Sequence, residues 1–325
     1  MSITAGRVVE GAIDLHAHAV LDATFETAGA YGPELGEDAG STFFRVGSYT
    51  LKPISYPGSV FMVVERRLDE MAQARISLQM LSPNPLTFFA GIEAELATRF
   101  AQVSNDAMAA LVREHPGKLL GSAQLPVQDV KAAIAELERA LELGLVAAYI
   151  GTNYPTPLDD PGLDPLYTAL VANDVPLFIH PATNDGKNAA ADTRLHRFGL
   201  DLIVGYTYEE TVTAATMILG GVFDRHPDLD VCISHGGGAV AYLVERFHSM
   251  AKRRGTPTDF GDLLSQFWFD AHMEPGPARS LVMDAVGVDR LVYGTNFGGW
   301  DTPETADEWD ISLNGNARRL LRLQD

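Results

Sequence analysis

The segment Gly11-Ala-Ile-Asp-Leu-His-Ala-His18 reads as a short apolar strand ending in His-x-His. Side chains alternate across a strand, so His16 and His18 share one face. Two imidazoles on one face are a ready ligand pair for a divalent metal. Two unrelated histidines close in sequence are the plain alternative. On strict alternation Asp14 falls on the same face, one step deeper. Further candidates follow other apolar runs. His180 closes Val175-Pro-Leu-Phe-Ile-His-Pro181, and His235 closes Cys232-Ile-Ser-His-Gly-Gly-Gly238. Asn296 and Asp301 follow Val292-Tyr-Gly-Thr295, with Trp300 between them, and His272 and Glu274 follow Phe269-Asp-Ala271. A lone histidine after a strand is commonly a loop or core residue. Four of the nine histidines at strand ends point instead to one shared site.

Such a site needs elements that bring distant strand ends together. Apolar runs predict strands at 12–18, 76–82, 119–124, 146–151, 175–180, 229–235, 267–271 and 290–294. Helices are predicted at about 62–75, 94–114, 128–143, 163–173, 208–224, 239–254, 276–286 and 307–322. The clearest is 128–143, with Val130, Ile134, Leu137 and Leu141 on one side. Alternating strand and helix implies a parallel sheet with right-handed crossovers. Eight such units predict an α/β fold, a closed (β/α)8 TIM barrel over residues 1–325 as one domain, whose working groups lie at the carboxyl ends of its strands. An open doubly wound sheet is the alternative, but no glycine-rich fingerprint follows the first strand. Residues 19–60 form a long insertion after strand one, read as irregular, and 181–206 is a second irregular stretch.

Bulk properties narrow the partners. The 325 residues carry 43 acidic and 24 basic side chains, a net charge of −19. Such a surface repels phosphate backbones and anionic lipid, so neither nucleic acid nor a membrane is an expected partner. An anionic substrate needs a local positive pocket inside this field. The one cysteine, Cys232, allows no internal disulfide and reads as a buried structural thiol. Met1–Arg7 shows no basic region leading into an apolar core, and no apolar run approaches a membrane span. A cytoplasmic enzyme is expected. His115, His226 and His248 lie in or after helices and read as structural.

The ordered pieces Ile13-Asp-Leu-His-Ala-His18, Arg67-Leu-Asp-Glu-Met71, Leu81-Ser-Pro-Asn-Pro85, Ile179-His-Pro181, Ser234-His-Gly-Gly-Gly-Ala239 through Arg246, and Gly315-Asn-Ala-Arg318 resemble the amidohydrolase-2 family. Within it the chain is most similar to the aminocarboxymuconate semialdehyde and aromatic-acid decarboxylases. The resemblance implies that His16, His18 and His180 bind a metal, usually Zn2+, with Mn2+ as another divalent candidate. It implies that His235 is the acid/base beside it. Arg246 matches a position that holds the substrate carboxylate, sometimes across a homodimer interface; an ordinary exposed helix arginine is the alternative. Arg45 looks like a second carboxylate reader, a role that suits a bidentate, permanently charged side chain. His272 and Glu274 line the pocket, compensate for Asn296, or are a loop pair without chemistry, and Trp300 stacks on an aromatic ring or simply packs.

The departure is Asn296, where the family has a metal-ligating, proton-handling aspartate. An amide oxygen can still touch a metal, but it is neutral and takes no proton. Four explanations stand: proton transfer by His235 alone, substitution by Asp301, an engineered change, or a divergent site. The neighbouring Gly298-Gly299, where the family has proline, favours natural divergence. The implied activity is metal-dependent, non-oxidative decarboxylation of an aromatic or unsaturated carboxylic acid. The alternatives are metal-assisted hydrolysis of a C–C, lactone or amide bond, and a barrel whose metal site has decayed into a binding or scaffolding role.

Overall fold

Each of the eight apolar runs forms a strand, and each strand is shorter than or equal to its predicted stretch except at the site's own edge. The computed structural model describes residues 11–255, 259–273, 275–303 and 305–323. The segment Met1–Arg7 and Glu274 lie outside the described residues. The chain opens with β1 (Ala12–Ala19), followed by a three-stranded antiparallel sheet of β2 (Glu34–Asp38), β3 (Ser41–Val46) and β4 (Tyr49–Leu51). Then come α1 (Val64–Gln73), β5 (Ile76–Pro83), α2 (Ala94–Arg113), β6 (Leu119–Gln124), α3 (Val130–Glu142), β7 (Ala147–Ile150) and α4 (Asp164–Ala172). The second half holds β8 (Leu177–Ile179), α5 (Tyr206–Leu219), α6 (Val222–Arg225), β9 (Val231–Ile233), α7 (Val240–Arg254), α8 (Phe260–Leu264), β10 (Trp268–Asp270), α9 (Pro277–Val286), β11 (Leu291–Val292), α10 (Glu308–Ser312) and α11 (Asn314–Leu321).

The barrel strands pair in parallel in the order β1-β5-β6-β7-β8-β9-β10-β11. The seam between the last and first strands is joined by Leu15 N–H donating to Tyr293 O at 2.9 Å. Ile13, Leu15, Met80, Tyr149, Phe178, Cys232, Trp268 and Val292 form one apolar cluster that fills the interior, and Leu320 and Leu321 of α11 join it. Cys232 is buried there, as its apolar run predicts.

Three sequence expectations change. Residues 34–51 of the insertion are a built sheet rather than an irregular stretch, and its Phe44 and Val46 share an apolar cluster with Ile54 and Tyr56, which follow it, and with Phe89 and Phe100. The run 208–224 is two helices, α5 and α6, because Gly221 takes a left-handed conformation (φ 72°) that ends one and starts the next. The closing helix likewise splits at Leu313 into α10 and α11.

Candidate metal centre and active site

β1 carries the first two candidate ligands, but not by simple alternation. Its register with β5 shifts between Asp14 and Ala17. Ile13 and Leu15 pack in the interior cluster, whereas Ala17 and Ala19 pack with the helices. The irregularity turns His16 and His18 toward the interior. Asp14 does not join them, a correction to the strict-alternation reading. Its carboxylate is taken up by the His16 and Thr295 backbone N–H groups, Thr295 Oγ1 and Gln79 Nε2.

The Nε2 atoms of His16, His18 and His180 lie 3.1–3.2 Å from one another. The opposite nitrogen of each ring is engaged. His16 Nδ1 meets Asp270 Oδ2 at 2.7 Å, and His180 Nδ1 meets Pro181 O at 2.8 Å. His18 Nδ1 meets Pro83 O at 3.1 Å and Ser82 Oγ at 2.8 Å. A carboxylate and carbonyls only accept, so Nδ1 carries the proton and each Nε2 presents a lone pair. Burial holds His18 neutral down to about 3 and keeps His16 and His180 well below their ordinary range. Three lone pairs so close repel one another unless a cation sits among them. Nitrogens with this spacing define a circle of radius about 1.8 Å, matched to one ion bound at about 2.0–2.1 Å. The donor set fits a divalent metal, and the acceptors behind it fix ring orientation. Gly294 permits the arrangement: a Cβ there would lie 2.7 Å from His16 Cβ and 2.9 Å from Asp270 Cβ.

His235 follows β9 with φ 48°, an uncommon conformation for a non-glycine residue and one that clusters at functional sites. Its ring centroid lies 4.9 Å from that of His16 and 5.1 Å from that of His180. Nδ1 meets Glu210 Oε1 at 2.6 Å. Burial pulls this imidazole down, but the Glu210 carboxylate outweighs it and holds the ring at about 9. Glu210 is buried on α5, and Ser234 Oγ also donates to it at 2.9 Å. Asn296 follows β11 with φ 49°, and its Nδ2 donates to Asp301 Oδ1 at 2.8 Å.

These groups line a cavity of about 350 Å³. His18, His180 and His235 share it with His272, Asn296, Trp300 and Asp301, while Leu51, Pro85, Leu202, Ile203, Tyr206 and Met273 add apolar and aromatic surface. The insertion reaches this cavity through Leu51, and Tyr49 Oη anchors it by donating to Asp201 Oδ2 at 2.7 Å. Trp300 stands at the rim with 72% exposure. Arg45 and Arg246 are not among the described lining residues. Arg45 pairs with Glu34 in the antiparallel sheet, and Arg246 is exposed on α7. The positive charge in the cavity wall comes instead from His235.

Sequence reasoning missed three residues. Glu210 lies on a helix 25 positions before the histidine it serves, and its only signal is an acidic residue on an otherwise apolar helix face. Asp270 stands behind His16 at the end of β10. Arg67 is buried, with Nε donating to Val60 O at 2.9 Å, Nη1 to Gln79 Oε1 and Nη2 to His18 O, both at 2.6 Å.

The barrel gathers at its strand ends three histidines whose spacing could hold a metal ion, and the chain belongs to the amidohydrolase family, which it matches over residues 13–323. Among curated relatives, it is 31% identical over 239 residues to 2-amino-3-carboxymuconate-6-semialdehyde decarboxylase of Dictyostelium discoideum, a match covering 71% of this chain and 65% of that relative. The chain thus spans about two thirds of that protein's length. It is 27% identical over 305 residues to gamma-resorcylate decarboxylase of Rhizobium radiobacter, covering 82% of this chain and 92% of the relative. The fold superposes on a dihydroxybenzoic acid decarboxylase from Polaromonas sp. JS666, solved with bound manganese and the inhibitor 2-nitroresorcinol, with a TM-score of 0.74, 22% identity and 97% coverage of both chains.

Proposed function

We propose that this chain is a metal-dependent, non-oxidative decarboxylase of an aromatic or unsaturated carboxylic acid. The observation that carries this is the convergence of three Nε2 lone pairs beside a His235 ring kept protonated by a buried carboxylate. Relatives named as decarboxylases support the reaction class. His16, His18 and His180 hold the ion, with the Asn296 amide oxygen as a further neutral ligand. Zn2+ and Mn2+ are the metals proposed, both compatible with imidazole donors. When bound, the ion supplies Lewis-acid polarisation of a substrate oxygen.

The chain's own groups do the rest. His235, fixed by Glu210, holds a proton beside the reacting carbon. As the bond to the carboxyl carbon breaks, its electron pair stays on the substrate carbon and CO2 leaves. The His235 proton then moves to that carbon, and solvent reprotonates the ring. The apolar wall of Leu51, Leu202 and Ile203 excludes water and favours loss of the charged carboxylate. Hydrolysis ranks second, because Asn296 lacks the carboxylate that would take a proton from an attacking water.

We also propose a homodimer. Val204, Tyr208, Val212 and Leu219 leave apolar surface exposed along α5 and the turn before it, and Tyr242 is exposed on α7. Tyr242 and Arg246 are four residues apart on that helix and share a side. Docking of a second copy there supports a substrate-holding role for Arg246 in trans. Arg45 is proposed as a reader at the insertion's edge, and Trp300 as an aromatic contact at the rim. No helix among the described residues is long and apolar enough to cross a membrane; a cytoplasmic site of action is proposed. The test is CO2 release from a panel of hydroxybenzoates and muconate semialdehydes by protein of measured metal content. Release that depends on zinc or manganese supports the reading. Hydrolytic products, or no CO2 from metal-loaded protein, overturn it.

A further inference from the structure

The decarboxylation derived above leaves two cavity groups without a task. Asp301 is the one carboxylate among the described lining residues. It is held in place: Asn296 Nδ2 donates to its Oδ1 at 2.8 Å, and its side chain remains 27% exposed. Its neighbour is His272, whose side chain is only 5% exposed. His272 Nε2 lies 3.3 Å from the Asp301 carbonyl oxygen and 3.8 Å from Oδ2. Both are acceptors, so Nε2 is the nitrogen that carries the proton. Nδ1 is then a bare acceptor, and it is buried with no hydrogen-bond partner. A buried acceptor without a donor is costly to leave unmade, and such groups in a cavity wall mark a place where a donor arrives with the ligand.

The chemistry of the wall is therefore asymmetric. On one side the protonated His235 ring attracts an anion. Asp301 repels one and offers a charged acceptor, with the His272 ring beside it. A second carboxylate on the substrate would meet repulsion here, whereas a hydroxyl or amino hydrogen would meet a carboxylate and, beside it, a buried ring nitrogen with no donor of its own. The exchange of an aspartate for Asn296 fits this division. The amide leaves position 296 neutral and orients a carboxylate five residues on, where it faces the ligand rather than the metal.

We propose that Asp301 and His272 form a subsite that reads a hydrogen-bond donor, a hydroxyl or an amino group, on the carboxylic acid, with Asn296 as the positioning residue for Asp301. This rests on the reading of the cavity as one for a carboxylic acid. It assigns specificity rather than the bond-breaking step. Sites that hydrogen-bond a substrate hydroxyl reject analogues lacking it far more sharply than apolar pockets sense a methylene.

The test is calorimetric titration of metal-loaded protein with benzoate and its 2-, 3- and 4-hydroxy derivatives. At least one hydroxy isomer is expected to bind about tenfold or more tightly than benzoate, the strength of a hydrogen bond to a charged acceptor. Asp301→Asn keeps an oxygen for the Asn296 bond and removes only the charge. In that variant the ratio of hydroxybenzoate to benzoate affinity should fall to within about threefold of one. His272→Phe, on a different strand end, keeps the ring shape, removes both nitrogens and should shrink the same ratio. Absence of any hydroxyl gain in the unmodified protein, or survival of the ratio in either variant, overturns the subsite. CO2 release from the same compounds is read separately. A hydroxyl gain that vanishes in both variants without CO2 release sinks the decarboxylase reading but leaves the subsite standing, so the two failures are distinct.

Discussion

Arg67→Met removes the charge of the most deeply buried guanidinium while keeping most of its stem. Arg67 is 2% exposed, and its nitrogens bridge three separate segments: Val60 O before α1, Gln79 Oε1 on β5 and His18 O at the histidine-bearing end of β1. Gln79 passes the contact on to Asp14 through Nε2 at 2.7 Å, so the guanidinium and the carboxylate are paired through an amide rather than directly. Burial costs the cation something, and it lowers the Arg67 ionisation to about 10. Methionine recovers that cost but strands three acceptors. Each stranded group is worth about 1–3 kcal/mol, and breaking a buried charge network by removing one partner typically costs about 3–5 kcal/mol. Set against the recovered desolvation, a net loss of about 3 kcal/mol is expected. With an unfolding entropy of about 2.1 cal/mol/K per residue, a chain of this length shifts by roughly 1.5 °C per kcal/mol, so Tm should fall by about 5 °C. The second readout is metal affinity. Freeing the His18 carbonyl loosens one ligand of three, and metal affinity should drop by about tenfold, as for other groups that orient ligands. Scanning calorimetry and metal titration check both. A Tm within 1 °C of the unmodified protein, or unchanged metal affinity, refutes the bracing role.

Four further outcomes follow from the site. In Glu210→Gln, His235 loses the carboxylate that does most to hold it near 9, and burial pulls the ring down against the remaining charges of Asp270 and Asp301; the basic limb of the pH–rate profile should move down from about 9, with a loss of rate at pH 8.5 that shrinks toward pH 6. The same pair sets a stability window: because the folded value exceeds the unfolded one, its contribution is fully present below about pH 6.5 and is lost as pH rises through about 9, which urea titrations at pH 6 and pH 9.5 would detect. Asp270→Asn takes the acceptor from His16 Nδ1 and should weaken metal binding by about 10- to 100-fold with the fold intact, read by competition with a chelating dye. Chelation of metal-loaded protein should lower Tm, and zinc or manganese added back should restore it, because the ion binds the assembled histidines and not the unfolded chain. An unchanged Tm on chelation would contradict the three-histidine centre.

The barrel was readable because strands buried on both sides must be apolar along their length. Runs such as Leu177–Ile179 and Val231–Ile233 announce themselves without alternation. The clustering of His16, His18 and His180 was readable for a related reason, since a polar residue directly after such a run marks a strand end. The face of Asp14 was not readable, because a register shift in β1 depends on pairing with β5 and leaves no mark in β1 itself. Nor was the antiparallel sheet of the insertion. Its strands Glu34–Asp38 and Ser41–Val46 carry Glu, Gly, Asp and Ser, and they are held by a cluster with Phe89 and Phe100 from beyond the insertion. Glu210 escaped for the opposite reason: its importance comes from a single contact with a residue on another element. The placement of Arg45 against Glu34 is likewise a matter of cross-strand register, in which the two residues face each other directly.

The seam where β1 meets β11 bears on how the protein is made. Asp14 and Thr295, which bond across it, are 281 positions apart. On the ribosome, the segment bearing His16 and His18 emerges early and waits with one unpaired edge until the final strand arrives. Contacts this distant in sequence form late and slow folding. Nascent chains halted before residue 290 should therefore be the species that chaperones retain.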